Sequence, residues 1–265
     1  MSRLPRSGTG VLALACGFAA LACGFAALAC GFAALAGCTS TGTSGRTPAP
    51  TAGTSSGGPV PGTHRATKTY QIPAPVSTVI VISHAGSISV TGGSGPSVSV
   101  TEQATWSKTP PVTSRAVSGR TLTVSYTCPA QVVCTVGYVL RVPSSVAIRA
   151  TAAAGSIRLA GLSGDVTAKA DVGLISATGL SGASVSLTND VGAINAAFAA
   201  PPATIRAVTR VGAIRLRVPD GTAYRVSADA HVGKATVSVR ESASSAHAIT
   251  ATTDVGAIVI APPGS

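Results

Sequence analysis

From about Lys68 onward, apolar and polar residues alternate in short runs, such as Ser156-Ile-Arg-Leu159, Ile214-Arg-Leu-Arg-Val218 and Thr236-Val-Ser-Val-Arg240. A period of two sends alternate side chains to opposite faces, so each run predicts a strand with one buried and one solvated face. A glycine precedes each short strand in a fixed register: Ala154-Gly-Ser-Ile157, Val172-Gly-Leu-Ile175, Val191-Gly-Ala-Ile194, Val211-Gly-Ala-Ile214, Val232-Gly-Lys-Ala-Thr236 and Val255-Gly-Ala-Ile258. Gly155, Gly173, Gly192, Gly212, Gly233 and Gly256 are thus separated by 18, 19, 20, 21 and 23 residues. A slowly drifting step is expected when each turn of a coil is one supersecondary unit with loops of varying length.

A second marker extends the series. Gly155, Gly173 and Gly86 are each followed six residues later by another turn, Gly161-Leu-Ser-Gly164, Gly179-Leu-Ser-Gly182 and Gly92-Gly-Ser-Gly95. The early segment Ala85-Gly-Ser-Ile-Ser-Val90 therefore belongs with the others. A coil must turn sharply at the same place on every rung, and glycine reaches positive φ without a Cβ clash. Stacked rungs would share one Val/Ile/Ala core that no single rung could close. The pattern predicts an all-β chain, a β-helix-like solenoid of about seven or eight rungs over residues 68–261, with 262–265 as a tail. Evenly spaced strands alone would also suit a β-sandwich, which gives no reason for one residue type to recur in one slot.

The N-terminal quarter follows a different rule. Arg3 and Arg6 precede an uncharged apolar run from Val11 to Ala36, the order of a secretory signal, with the basic end inside and the rest of the chain outside. Within it Leu14-Ala-Cys-Gly-Phe-Ala-Ala20 recurs at Leu21 to Ala27 and Leu28 to Ala34. Cys16, Cys23 and Cys30 therefore fall in a heptad stripe, which reads either as a metal or helix-pairing face or as tandem expansion of a simple repeat. The run exceeds the roughly 7 to 15 residues of a signal core and, at ~20 or more, is long enough to span a bilayer if left uncleaved.

Leu35-Ala36-Gly37-Cys38 resembles the lipobox of bacterial lipoproteins, whereas Cys16, Cys23 and Cys30 each have Ala at −3 and Leu at −2, the reverse of that order. The resemblance implies a signal peptide over 1–37, lipidation of Cys38 and anchoring by two or more acyl chains on the outer face of the cell membrane. From Thr39 to Thr63 the chain is nearly all Thr, Ser, Gly, Pro and Ala, with Arg46 its one charge, so it cannot bury enough apolar surface to fold. Residues 38–67 read as a lipidated cysteine and a disordered tether, with a reach of about 25 to 30 Å if flexible.

The Val-Pro lead-ins (Val142-Pro143, Val218-Pro219), the alternating strands and the Gly-x-Ile and Gly-Leu-Ser-Gly-x-Val turns together resemble a bacterial family of unknown function called putative adhesin, over roughly residues 70–260. The resemblance implies a β-solenoid exposed on the cell envelope and supplies no catalytic residues.

Composition narrows the chemistry. Charged residues are 10% of the chain against a usual quarter or so, and aromatic residues are 3%, so a core must be built of small aliphatics. Removing Arg3 and Arg6 from the 19 basic residues leaves 17 against 8 acidic, a charge of +9. Such a surface attracts acidic wall polymers or anionic headgroups. Export and the scarcity of stacking aromatics argue against nucleic acid. Cys128 and Cys134, outside the cytoplasm, are expected to form a disulfide closing a short strand-loop-strand.

No nucleophile, phosphate-loop or zinc motif is present, and no metal or cofactor is expected. One constellation stands out. Two residues before each turn glycine come Asp171, Asp190, Arg210, His231 and Asp254, which stacking would place in a ladder about 4.8 Å per step. They read either as a cation or ligand site, or as an exposed column in which Arg210 and His231 relieve repulsion between acids. Arg158, Arg215, Arg206, Arg217 and Arg225 read either as solubilising positions or as a polyanion-binding stripe.

The expected function is that of a non-enzymatic, membrane-anchored extracytoplasmic lipoprotein that adheres to or binds an envelope polymer or partner. An envelope-sensing or assembly factor acting through a membrane protein is the alternative, and a carbohydrate-active β-helix enzyme a third. The solenoid ends are candidates for self-association.

Overall fold

The computed structural model describes residues 63–73 and 75–264. The segment read as a signal peptide, Cys38 and nearly all of the segment read as a tether lie outside them.

The described chain contains nineteen strands and no helix. Numbered in chain order, ten form one sheet in the spatial order β1 (His64–Ile72), β4 (Val98–Trp106), β7 (Cys134–Pro143), β3 (Ile88–Gly93), β9 (Ile157–Ala160), β11 (Ile175–Leu180), β13 (Ile194–Phe198), β15 (Ile214–Arg217), β19 (Ile258–Ala261), β17 (Ala235–Val237). The other nine are ordered β16 (Arg225–Val232), β18 (Ala248–Val255), β14 (Thr204–Val211), β12 (Ser184–Val191), β10 (Val166–Val172), β8 (Ala147–Ala154), β2 (Thr78–Ala85), β6 (Thr121–Thr127), β5 (Val112–Ser118). Neither sheet closes on itself. Pairing is parallel except where β1, β4 and β5 add antiparallel strands at one end.

From β8 onward, successive strands alternate between the sheets, and like residues sit in line. Ile88, Ile157, Ile175, Ile194, Ile214 and Ile258 are register partners along the ten-stranded sheet. Val79, Ile148, Val166, Val185, Ile205 and Ile249 do the same along the other. These rows face each other as a continuous buried core. Repetition lets identical aliphatic side chains nest with their copies, which is how a core forms with so few aromatic residues.

Chain order and spatial order differ at both ends, where a simple coil predicts they agree. β18 and β19 lie between the β14/β15 layer and the β16/β17 layer, and β2 and β3 lie between β8/β9 and β6/β7. At the C-terminal end burial gives the reason. The inward residues of β18 and β19 (Ile249, Ala251, Ile258, Ile260) are fully buried, whereas those of β16 and β17 (Val226, Ala228, Ala230, Val237) are half-buried edge residues. The more apolar pair takes the inner place. β1 also begins at His64, inside the segment read as tether, because it pairs with β4 along its whole length.

The turn glycines form a column in the spatial order Gly86, Gly155, Gly173, Gly192, Gly212, Gly256, Gly233, with φ between 128° and 153°. A Cβ on any of them after Gly86 would fall on the carbonyl oxygen of the glycine before it in the column, and one on Gly86 would fall on that of Val136. The column thus requires glycine twice, for the backbone angle and for the approach of the next layer. The carbonyls it crowds accept hydrogen bonds from buried side chains one layer on. Asn189 Nδ2 donates to the Gly173 carbonyl at 2.8 Å, Thr209 Oγ1 to Gly192 at 3.2 Å and Thr253 Oγ1 to Gly212 at 3.1 Å. Ser83, in the same slot, donates to the Val136 carbonyl at 3.3 Å. Buried carbonyls left without donors cost free energy, which explains polar residues on otherwise apolar strand faces.

Gly192→Ala is expected to lower stability by about 3 kcal/mol through strained φ and backbone collision. Thr209→Val, which removes only the donor, is expected to cost about 1 kcal/mol. Chemical denaturation of residues 56–265 distinguishes the two; equal, negligible losses would contradict this account of the column.

Candidate functional site

The ladder residues occupy one edge beside the glycine column, in the order Asp171, Asp190, Arg210, Asp254, His231, with the last two exchanged relative to the chain because β18 lies inside β16. Arg210 Nη2 is 3.4 Å from Asp190 Oδ2, and Lys169 Nζ is 3.7 Å from Asp171 Oδ1. His231 Nδ1 is 3.2 Å from Asp254 Oδ1, and its Nε2 is 3.8 Å from Asp229 Oδ2. These side chains are 43–65% exposed, so water screens each pair to about 1 kcal/mol or less. Cations interleave with acids along the edge, and no three His, Cys, Asp or Glu side chains gather as a metal site among the described residues.

The outer face of the ten-stranded sheet has a different charge pattern. Arg65 on β1, Arg141 on β7, Arg158 on β9, and Arg215 and Arg217 on β15 are all exposed there. The one acidic residue in that sheet's described strands, Glu102, points inward. Arg158, Ser176, Asn195 and Arg215 form a single register row, which spaces the two guanidinium stems by three strand separations, about 14 Å.

Two shallow troughs lie along this face. One of about 390 Å³ is lined by Ser176, Thr178, Asn195, Arg215 and Arg217; another of about 300 Å³ includes Gln71, Thr91, Ser99 and Arg141. Asn195 Oδ1, in the first, is shielded from solvent with no hydrogen-bond partner. The arginines named from sequence thus divide between faces, since Arg206 and Arg225 lie on the nine-stranded sheet together with Asp229.

Cys128 and Cys134 form a disulfide with Cα atoms 5.9 Å apart. The flanking strands are not a hairpin, as β6 and β7 belong to different sheets. The bridge fixes the point where the chain crosses between them.

Sequence reading missed a second polar centre, at the end formed by β1, β4 and β5. Glu102 has a side chain 3% exposed and accepts a hydrogen bond from Arg115 Nη1 at 2.8 Å. The Arg115 guanidinium lies 3.5 Å above the Tyr70 ring. Burial lowers the Arg115 pKa, but the hydrogen bond and charge of Glu102, with a contribution from Tyr70, outweigh it and hold the net value above that of a free guanidinium. Tyr138 is fully buried, and its hydroxyl has no hydrogen-bond partner. Burial first, and then the Glu102 and Tyr126 charges, push its pKa up from 10.0. The period-two signal was present in the sequence, for Val98, Val100 and Glu102 alternate onto one face.

No protein-family model matches the chain, and no curated protein matches it. Solved structures do. A putative cell adhesion protein from Clostridium sporogenes aligns over 75% of this chain and 100% of its own, at 10% identity and a TM-score of 0.41. A putative adhesin from Bacteroides fragilis aligns over 75% and 97%, at 14% identity and 0.43. One from Parabacteroides merdae aligns over 74% and 95%, at 15% identity and 0.27.

Because its folded pKa is raised, Tyr138 favours the native state below pH 10, the unfolded value, and that contribution falls as pH rises above it. Absorbance titration near 295 nm is expected to show late tyrosine ionisation coupled to alkaline unfolding, which Tyr138→Phe reduces and the buried Tyr224, also raised by burial, sustains in part. Ionisation of every tyrosine in one ordinary step in the folded protein would refute this.

Proposed function

We propose that this protein is a lipid-anchored, non-enzymatic binding protein of the outer cell envelope, whose arginine face holds an anionic envelope polymer. The observation that carries the reading is the asymmetry of charge: five arginines and no outward acid on the ten-stranded sheet, against interleaved signs on the other face and edge. Surface guanidiniums spaced along a rigid sheet, with Ser, Thr and Asn between them, offer repeated charge-assisted contacts to phosphate or carboxylate groups of a chain molecule.

The location rests on Arg3 and Arg6 before an apolar run, on Leu35-Ala36-Gly37-Cys38 and on the Thr/Ser/Gly/Pro-rich segment after it. We read the folded part as a β-solenoid of eight two-strand layers, a reading supported by the strand alternation and in-line registers, with the layer exchanges at its ends as departures from a simple coil.

Two measurements test this. Residues 56–265 should be retained on acidic wall polymer or phosphatidylglycerol vesicles and eluted by salt, since contacts at the surface are screened within about 10 Å at 0.1 M. Replacing Arg158, Arg215 and Arg217 by Ser should move elution to clearly lower salt, while replacing Arg206 and Arg225 should not. Absence of salt-sensitive retention would sink the polymer reading. For the anchor, mass spectrometry should find acylated Cys38 as the mature N-terminus; an intact Met1 or Ser2 would overturn it.

A further inference from the structure

Away from the arginine face, the chemistry of the described residues gathers at one end. Of the chain's four Tyr and one Trp, Tyr70, Trp106, Tyr126 and Tyr138 lie on β1, β4, β6 and β7. There the sheets part around a cleft of about 260 Å³, lined by Lys68, Glu102, Trp106, Pro110, Pro111 and Thr113. The space is smaller than the roughly 300 Å³ at which sites for drug-sized ligands begin.

We infer that this cleft binds one uncharged sugar ring. Trp106 forms an aromatic wall, stacked on His64 with centroids 5.7 Å apart and planes 22° from parallel, beside the apolar rings of Pro110 and Pro111. Such a wall suits the C–H-rich face of a pyranose. Glu102 supplies hydroxyl acceptors on the floor, held in place by Arg115, whose guanidinium in turn rests on the Tyr70 ring. Lys68, the register partner of Glu102 on β1, supplies a donor beside it on the same sheet face. A carboxylate and an ammonium side by side on one wall match adjacent hydroxyls, each of which both donates and accepts.

Charge selects against the other classes. Lys68 and Arg115 oppose an amine, and Glu102 opposes a carboxylate or phosphate, so a neutral polar ligand is the one that neither sign repels. Taking a carboxylate out of water is costly even when it is paired. Glu102 nevertheless lines a cleft rather than being sealed within the core. This site lies between the sheets at their β1/β5 end, apart from the outer arginine face, and does not depend on what that face binds.

Trp106 is the chain's single tryptophan, so its fluorescence reports the cleft alone. The full-length protein in detergent should show a saturable emission change with N-acetylglucosamine or methyl glucoside, and none with glucosamine or glucuronate at equal concentration. Lys68→Ala, at an exposed position, and Glu102→Gln should each weaken binding about tenfold, the scale of one lost hydrogen bond to a charged group. Retention on acidic polymer should stay unchanged in both, which keeps failure here distinct from failure of the arginine face. If Glu102→Gln does not fold, Lys68→Ala and a calorimetric titration of Trp106→Ala decide. No saturable response to either neutral sugar, or a response to the charged sugars alone or equally, would overturn the proposal.

Discussion

The structure depends on one close approach. At each layer the carbonyl of a turn glycine occupies the volume a Cβ would need on the next glycine of the column. Strand spacing in a parallel sheet is fixed near 4.8 Å by the hydrogen-bond ladder, so a turn that must repeat at that spacing has no room for a side chain. Once the turns are set flat against one another, the rows of Ile and Val on both sheets follow, because each strand leaves the column in the same phase. The donors Asn189, Thr209 and Thr253 then satisfy carbonyls that the positive-φ turn directs at the adjacent layer.

That constraint explains what could be read from the letters and what could not. The glycine register and the alternation of Ile157 or Ile214 with arginine identify the strands and their buried faces directly, since both are local. The layer order is not local: Gly233 and Gly256 carry the same signature, and only the weaker inward faces of β16 and β17 decide which pair stands at the edge. Glu102 was legible in principle by its parity with Val98 and Val100, but its partner Arg115 comes from the other sheet, a contact no periodicity reveals. The separation of arginines into faces likewise needed the assignment of β9 and β15 to one sheet and β14 and β16 to the other.

Function follows from the same regularity. A core of nested aliphatics makes few demands on the outward positions, so these can vary from layer to layer without disturbing the fold. On the ten-stranded sheet they carry only positive charge, and along the turn edge they are of both signs. The antiparallel end, where the repeat breaks and larger side chains enter, is where aromatic and buried charged groups meet.

The exchange of the last two layers bears on how the chain assembles. β18 is synthesised after β16 yet lies between it and β14, so the array cannot grow by adding each new strand to the last. While the chain is still emerging, β14 and β15 present an open edge that only later residues fill, and β16 and β17 have no permanent neighbour. Closure waits for β18 and β19. A polypeptide stopped short of them loses an internal slab rather than its outermost layer, leaving two exposed sheet margins where the complete chain has a continuous stack.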